Sequence, residues 1–305
     1  MSTLEQRQLG KTGLCVTRLG YGSMGLRGPN TWGIRTVSDE AAERVLHAVL
    51  DAGVNFIDTS PDYGVSEARI GRFLSSRRGE FTLATKCGCD PIQHADTLEI
   101  RHTWTADTVR RNLETSLERL QTDHIDLLQF HGGDAATLKQ NGLIEVLQGF
   151  REQGTVRALG VSTKLPEITD LLKLEIFDAF QLPYACVAPE HAACMDEAAR
   201  QGAGVIVRGG IAQGGPDAEI QRPAVNAVWA AAKLDELLPA SMSRAEFILR
   251  YTLSHPHCDT AIVGTCNLEH FAENVAAAKA GALPGDLYAE ITRRVQEITG
   301  AGRES

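Results

Sequence analysis

The chain lacks several features that would have placed it quickly. No apolar run approaches the roughly 20 residues needed to cross a bilayer. The N-terminal MSTLEQRQLG has no apolar stretch that could serve as a secretory signal. Basic residues are scattered, and the net charge of −9 argues against a nucleic-acid partner, which requires a clustered basic face. The seven cysteines are odd in number and spread from Cys15 to Cys266, which is no disulfide framework. A reducing, cytoplasmic setting is the expectation, with no membrane and no nucleic acid as partner. Low-complexity linkers are absent, so the 305 residues read as one domain. No Gly-x-Gly-x-x-Gly follows a strand. Gly10-Lys11-Thr12 imitates the end of a phosphate-binding loop, but Glu5 stands where that motif needs Gly, so a hairpin turn is the better reading.

What is present is a regular alternation. Short apolar runs at residues 18–23, 54–58, 81–86, 125–131, 156–161, 179–182, 204–207 and 261–263 read as strands. They are nearly all-apolar, as strands buried on both faces are. Helical stretches lie between them, among them 39–52, 105–120, 138–153, 166–172 and 192–201. In 105–120, Val109, Leu113, Ser116, Leu117 and Leu120 recur at spacings of three and four. Ser38 and Thr105 are placed as N-caps, and Gly53 and Gly154 follow their helices as left-handed stops. Eight strand–helix repeats over about 250 residues predict a single TIM (β/α)8 barrel. Residues 7–18, two short strands about a Gly turn, predict an N-terminal β-hairpin closing its bottom. Two long polar insertions, 88–103 and 208–222, are expected as loops at the C-terminal mouth.

Four proton-transfer groups fall where these strands stop. Asp58 and Tyr63 follow VNFID, Lys86 closes FTLATK, and His131 closes IDLLQFH. Strand C-termini are where such a barrel carries its active site. A tyrosine with an ordinary pKa near about 10 is a poor acid at neutral pH. A neighbouring Lys86 would stabilise the phenolate and lower that pKa, and Asp58 would hold the lysine charged. A neutral His131 would position a carbonyl oxygen or share its proton. Taken singly, each has a plain structural reading: a packed turn tyrosine, a helix cap, a surface charge, a hydrogen-bonded core histidine. Gathered at one mouth, they point to protonation of a carbonyl oxygen.

Gly53-Val-Asn-Phe-Ile-Asp-Thr-Ser-Pro-Asp-Tyr-Gly64, Leu83-Ala-Thr-Lys86 and the segment from Asn112 to His131 resemble the signatures of the aldo-keto reductase superfamily, up to about residue 280. The resemblance implies an NAD(P)H-dependent enzyme that reduces aldehydes or ketones. Tyr63 would be the proton donor, Asp58 and Lys86 would tune it, and His131 would orient the carbonyl. It implies cofactor contacts from Gly22, Ser23 and Met24 after the first barrel strand. Ser162 and Thr163 of Gly-Val-Ser-Thr, and Gln181, would meet the carboxamide, Thr163 standing where Asn is usual. Arg208, Gly209 and Gly210 follow the seventh strand, Arg208 standing where an aromatic often stacks. Gly264, Thr265, Cys266, His270, Glu273 and Asn274 resemble the adenosine-end motif. Cys266 stands where a base commonly grips the 2′-phosphate, and a neutral thiol makes no charge-assisted bond. NADP(H) is therefore the expectation, with NAD(H) more plausible than for a typical member.

The first insertion and the loops around it would line the substrate entrance, with Trp32, Cys87 and Trp104 as candidates beside Arg35, His94, Arg101 and His102. A thiol of Cys87-Gly-Cys89 would feel the charge of Lys86, although two plain cysteines at the pocket rim are the simpler reading. No metal set is assigned: His255-Pro-His-Cys258 has three ligand types but no second cluster at zinc-like spacing. Two readings compete with a reductase: a cofactor-binding redox-sensing or regulatory subunit, and a metal-dependent barrel hydrolase. The partner expected is a small-molecule carbonyl compound, and the family resemblance allows both monomer and homo-oligomer.

Overall fold

A computed structural model describes residues 3–31, 36–217 and 222–300. Its chain opens with a hairpin, β1 (Gln6–Gln8) against β2 (Cys15–Thr17), antiparallel with Arg7 opposite Val16. Eight parallel strands follow: β3 (Leu19–Gly22), β4 (Phe56–Asp58), β5 (Thr82–Cys87), β8 (Ile125–His131), β9 (Val156–Ser162), β10 (Ala179–Pro183), β11 (Gly204–Arg208) and β12 (Thr260–Val263). They close into a barrel in that order, β12 pairing back onto β3. Between β5 and β8 lies a small ribbon, β6 (Ile92–Gln93) against β7 (Leu98–Glu99).

The helices are α1 (Asp39–Asp51), α2 (Ser66–Leu74), α3 (Ala106–Leu120), α4 (Ala135–Gln140), α5 (Leu143–Glu152), α6 (Glu167–Leu172), α7 (Ala192–Arg200), α8 (Pro223–Ala231), α9 (Arg244–Ser254), α10 (Leu268–Ala280) and α11 (Gly285–Thr299). Ser38 accepts from the Ala41 amide and Thr105 from the Thr108 amide, the caps read from the sequence. The helix expected over 138–153 is two helices instead. Gly142 between them has φ +61°, a left-handed conformation that interrupts the helical ladder. Insertion 88–103 is likewise not an open loop: Asp90 N–H donates to Arg101 O and Thr103 N–H to Gly88 O, which makes it an antiparallel ribbon.

Side-chain alternation explains how this barrel carries a site. Phe56, Ala84, Leu127, Ala158, Ala179, Ile206 and Ile262 pack together with Leu9 and Val16 of the hairpin, so the hairpin plugs the lower end. Successive residues of a strand face opposite sides, so the next residues on the same face stand two positions later. Those positions are Asp58, Lys86, Gln129, Gly160, Gln181, Arg208 and Gly264. An apolar layer thus gives way, in one step up the barrel, to a layer of charged and amide side chains. The outward residues, such as Leu128 and Phe130, join the larger core between barrel and helices. None of the helices among the described residues is long and apolar enough to cross a membrane.

Candidate active site

Asp58 is the hub of the polar layer. Its Oδ2 lies 2.8 Å from Lys86 Nζ, and its Oδ1 accepts from the amides of Gln129 at 2.8 Å and Gln181 at 2.7 Å. Lys86 also donates to Thr59 O at 2.7 Å. Gln181 accepts in turn from Ser162 Oγ at 2.9 Å. All four side chains at the centre of the network are essentially inaccessible to solvent. Gly160 makes room for it: a Cβ there would lie 3.1–3.2 Å from Leu127 Cδ1, Ala179 O and Gln129 Cγ. A buried ion pair is weak evidence for stability, because desolvation offsets the attraction. Held by amides at the end of a barrel, it instead fixes a charge in a chosen place.

Tyr63 sits in the turn between β4 and α2, its amide donating to Ser60 O and its carbonyl accepting from Ser66 N–H. Gly64 is required next: its φ is +52° and a Cβ would fall 2.2 Å from Arg27 O. Lys86 Nζ lies 4.8 Å from the centre of the Tyr63 ring. Burial pushes the phenol up to about 12; Lys86 pulls it down, while Asp58 and Asp62 add to the rise. This corrects the sequence expectation of a lowered tyrosine. Burial also works against the Lys86 charge, but Asp58 and Tyr63 outweigh it and hold the ammonium above its ordinary value.

His131 is reached through Nδ1 by three groups: His102 Nε2 at 3.1 Å, Asp62 Oδ2 at 3.4 Å and Cys89 Sγ at 3.4 Å. Its backbone carbonyl accepts from Trp104 Nε1 at 2.9 Å, and the Trp104 ring stacks on His102 with centroids 5.8 Å apart. Burial lowers the His131 pKa, against the opposing pull of Asp62. Burial alone would raise Asp62, but its bonds to His102 and His131 hold it far below the usual carboxylate range. At this mouth a cleft of about 300 Å³ is lined by His102, His131, Ser162, Lys164, Glu167 and Arg208 among others. A hollow of about 270 Å³ at the hairpin end, beside Lys11 and Asp259, contains none of the four expected proton-transfer groups.

The expected cofactor residues fall in two groups. Ser162, Thr163, Gln181 and Arg208 lie at the cleft or directly under it, with Thr163 N–H donating to Gln181 O and Arg208 Nη2 reaching Thr163 O at 3.4 Å. Gly22 ends β3 and Ser23 and Met24 begin the turn after it, and Gly264 approaches so closely that a Cβ there would meet Gly22 O at 2.8 Å. Ser23 is buried, donating to Asp58 O, while Met24 is exposed. Gly209 and Gly210 follow β11, and Gly210 O accepts from Thr252. Thr265, Cys266 and Asn267 lead into α10; burial raises the Cys266 thiol pKa, and Tyr21 donates to Thr265 O. His270 and Glu273 are exposed on α10 and Asn274 is buried.

Among the substrate candidates, Trp104 is brought to His131 as described, whereas Trp32 and Arg35 lie outside the described residues. Cys87 is corrected. It faces outward opposite Phe130, fully buried in the core, and burial pushes its thiol up to about 12. Alternation puts Lys86 inside and its neighbour outside. Cys89 is the thiol that reaches the site. Asp62 and Gln129 were not expected beside the candidate site; for Gln129 a signal existed, since it stands two residues before His131 on one strand.

This architecture has known counterparts. The model of the Aldo/keto reductase family matches residues 18–295. The chain belongs to that family. It is 28% identical over 301 residues to L-galactose dehydrogenase of Arabidopsis thaliana, covering 91% of this chain and 89% of that protein. It is 32% identical over 176 residues to D-threo-aldose 1-dehydrogenase of a Pseudomonas species, about half of each chain. The holo form of an aldo-keto reductase from Bacillus halodurans superimposes with a TM-score of 0.83 at 27% identity, covering 95% of this chain and 96% of that one. The protein is accordingly an oxidoreductase of the aldo-keto reductase family on a (β/α)8 barrel.

Proposed function

We propose that this aldo-keto reductase reduces the carbonyl group of a small polyhydroxylated compound, an aldose or ketose, at the expense of NAD(P)H. The single observation that carries the chemistry is the closed network Gln129/Gln181–Asp58–Lys86 beneath Tyr63, with His131 at the same mouth. The sugar class is supported by the polar lining of the cleft and by relatives named for sugars, among them D-arabinose 1-dehydrogenase of Saccharomyces cerevisiae and a 6-dehydroglucose reductase of Novosphingobium aromaticivorans.

The residues present fit a dinucleotide. Ser162 and Gln181 retain hydrogen-bonding capacity beyond the bonds they make: an amide offers two N–H donors and two lone pairs. Thr163, Lys164 and Arg208 stand beside them, and α10 presents its N-terminus behind Thr265, a setting that favours phosphate. The nicotinamide, when bound, supplies the hydride. Tyr63 then gives its proton to the carbonyl oxygen as negative charge develops there, since an alkoxide is a stronger base than a phenolate. Lys86 stabilises the phenolate left behind, and Asp58 keeps that ammonium aimed. His131, held neutral by burial, orients the carbonyl. Cys266, neutral at physiological pH, gives no charged grip on a 2′-phosphate, so NADH serves alongside NADPH.

The test is a panel of aldehydes, ketones and sugars assayed with NADPH and NADH in parallel, alongside Tyr63→Phe. The variant should bind cofactor normally and lose about 10²–10⁴-fold in turnover, the range for removing a positioned acid. Near-normal turnover in Tyr63→Phe would mean that the donor lies elsewhere. Stoichiometric cofactor binding with no turnover of any carbonyl would favour a regulatory subunit.

A further inference from the structure

Beside the proton-donating network, and sharing His131 with it, four ligand-type atoms gather at the rim of the cleft: Asp62 Oδ2, Cys89 Sγ, His102 Nε2 and His131 Nδ1, all within 4.8 Å of one another. The geometry points to a zinc-binding site formed by these four residues. The convergence comes from the folded insertion. Cys89 and His102 pair directly across the ribbon as an antiparallel bridge, which puts both side chains on one face. That face is laid over His131, at the end of β8, and Asp62, in the turn before Tyr63.

Hydrogen bonds alone leave the cluster frustrated. The two imidazole nitrogens are 3.1 Å apart, and each is within 3.4 Å of Asp62 Oδ2. If both nitrogens carry a proton, two donors face each other. If only one does, the other turns a lone pair on the carboxylate. No choice of tautomers satisfies all three contacts. Asp62 Oδ1 is buried and has no hydrogen-bond partner either. A cation at the centre removes the conflict, because every one of the four atoms then has a positive charge to face.

Four of the six ligand–ligand edges suit zinc. With bonds of about 2.0–2.1 Å to nitrogen and oxygen and about 2.3 Å to sulfur, a tetrahedral site has edges of about 3.3 Å, or about 3.6 Å to the sulfur. The three N/O edges here are 3.1, 3.3 and 3.4 Å, and Cys89 Sγ lies 3.4 Å from His131 Nδ1; the other two edges of Cys89 Sγ, to His102 Nε2 and Asp62 Oδ2, fall within 4.8 Å, so the thiol swings inward on binding to complete the tetrahedron. Charges balance: two positive on the metal, one negative on the carboxylate and one on the thiolate. On binding, the Cys89 Sγ–H proton leaves to solvent. Each imidazole keeps its proton on the far nitrogen, Nδ1 of His102 and Nε2 of His131. Softness favours zinc over magnesium or calcium, which prefer oxygen alone. Entry is open, since the side chains of His102 and His131 keep 24% and 20% of their exposure.

The site does not depend on the reductase reading, and its test reads metal rather than activity. Chelator-washed protein is titrated with Zn²⁺ by calorimetry and with Co²⁺ by absorption. We expect one ion per chain, the intense visible bands of tetrahedral cobalt and a near-ultraviolet thiolate-to-cobalt band, with release of a proton. Cys89→Ser should abolish the thiolate band, and His102→Gln, at a partly exposed position, should weaken binding at least about tenfold. Thermal melts establish that both variants fold. His257→Gln, in the separate group with Asp196 and His255, should change nothing. Absence of saturable 1:1 binding, or binding equally tight in Cys89→Ser and His102→Gln, overturns the proposal.

Discussion

Replacing Asp58 with Asn leaves an acceptor for Gln129 and Gln181 but turns an amide donor toward Lys86, which is buried and has Asp58 as its ion-pair partner at 2.8 Å. Breaking a buried pair by removing one charge costs about 3–5 kcal/mol, most of it the stranded partner's desolvation. The unfolding entropy of a 305-residue chain is about 0.6 kcal/mol/K, so the melting temperature should fall by about 5–8 °C. Lys86→Met alone strands Asp58 and should cost a similar amount. The double variant Asp58→Asn/Lys86→Met strands no charge, and its loss should be well below the sum of the single losses. The pH sign follows from the lysine. Its folded pKa is raised, so its contribution is complete below the unfolded value of about 10.4 and fades only as pH rises through the folded one. The Asp58→Asn loss should therefore be equal at pH 6 and pH 9. Scanning calorimetry of the four proteins at both pH values checks this. Additive losses, or an Asp58→Asn protein melting within 1 °C or so of the parent, would refute the claim that the two charges depend on each other.

Three further outcomes are expected. Because His131 in the metal-free protein is held neutral below the ordinary histidine range and Asp62 pulls the other way, Asp62→Asn should move the acid limb of kcat/KM of chelator-washed enzyme to lower pH; because burial places Tyr63 near 12, no alkaline limb from loss of its proton should appear below about pH 10, and a limb near 7–8 that disappears in Tyr63→Phe would contradict it. Gly160→Ala adds a methyl group 3.1–3.2 Å from three neighbours, one of them Gln129 Cγ; it should cost about 1–3 kcal/mol and lower kcat by shifting Gln129 off Asp58, and a variant with parental melting and kcat would show that Gln129 has slack.

Much of the site was legible because strand ends carry their chemistry locally. Asp58, Lys86 and His131 each close an apolar run, and a run that stops at a charged residue marks both the strand and its mouth. The split of the 138–153 helix was less visible, since Gly142 alone does not force a break in sequence; its left-handed φ of +61° does so in the fold. Cys87 and Cys89 show the limit most clearly. Proximity to Lys86 in sequence suggested either thiol of Cys87-Gly-Cys89, but strand alternation sends Cys87 into the core and leaves Cys89 to reach His131.

The sequence alone determined the eight-stranded barrel and singled out the candidate proton-transfer groups, because two-sided burial and strand termination are properties of short segments. Tertiary structure decided what those groups experience. Only the closed barrel sets Gln129 and Gln181 on one oxygen of Asp58, and only burial carries Tyr63 up to about 12 against the pull of Lys86. The meeting of Asp62, Cys89, His102 and His131 likewise required an insertion to fold into a ribbon and lie across a strand end. Electrostatic environment and convergence depend on distances between remote segments, which no local pattern encodes.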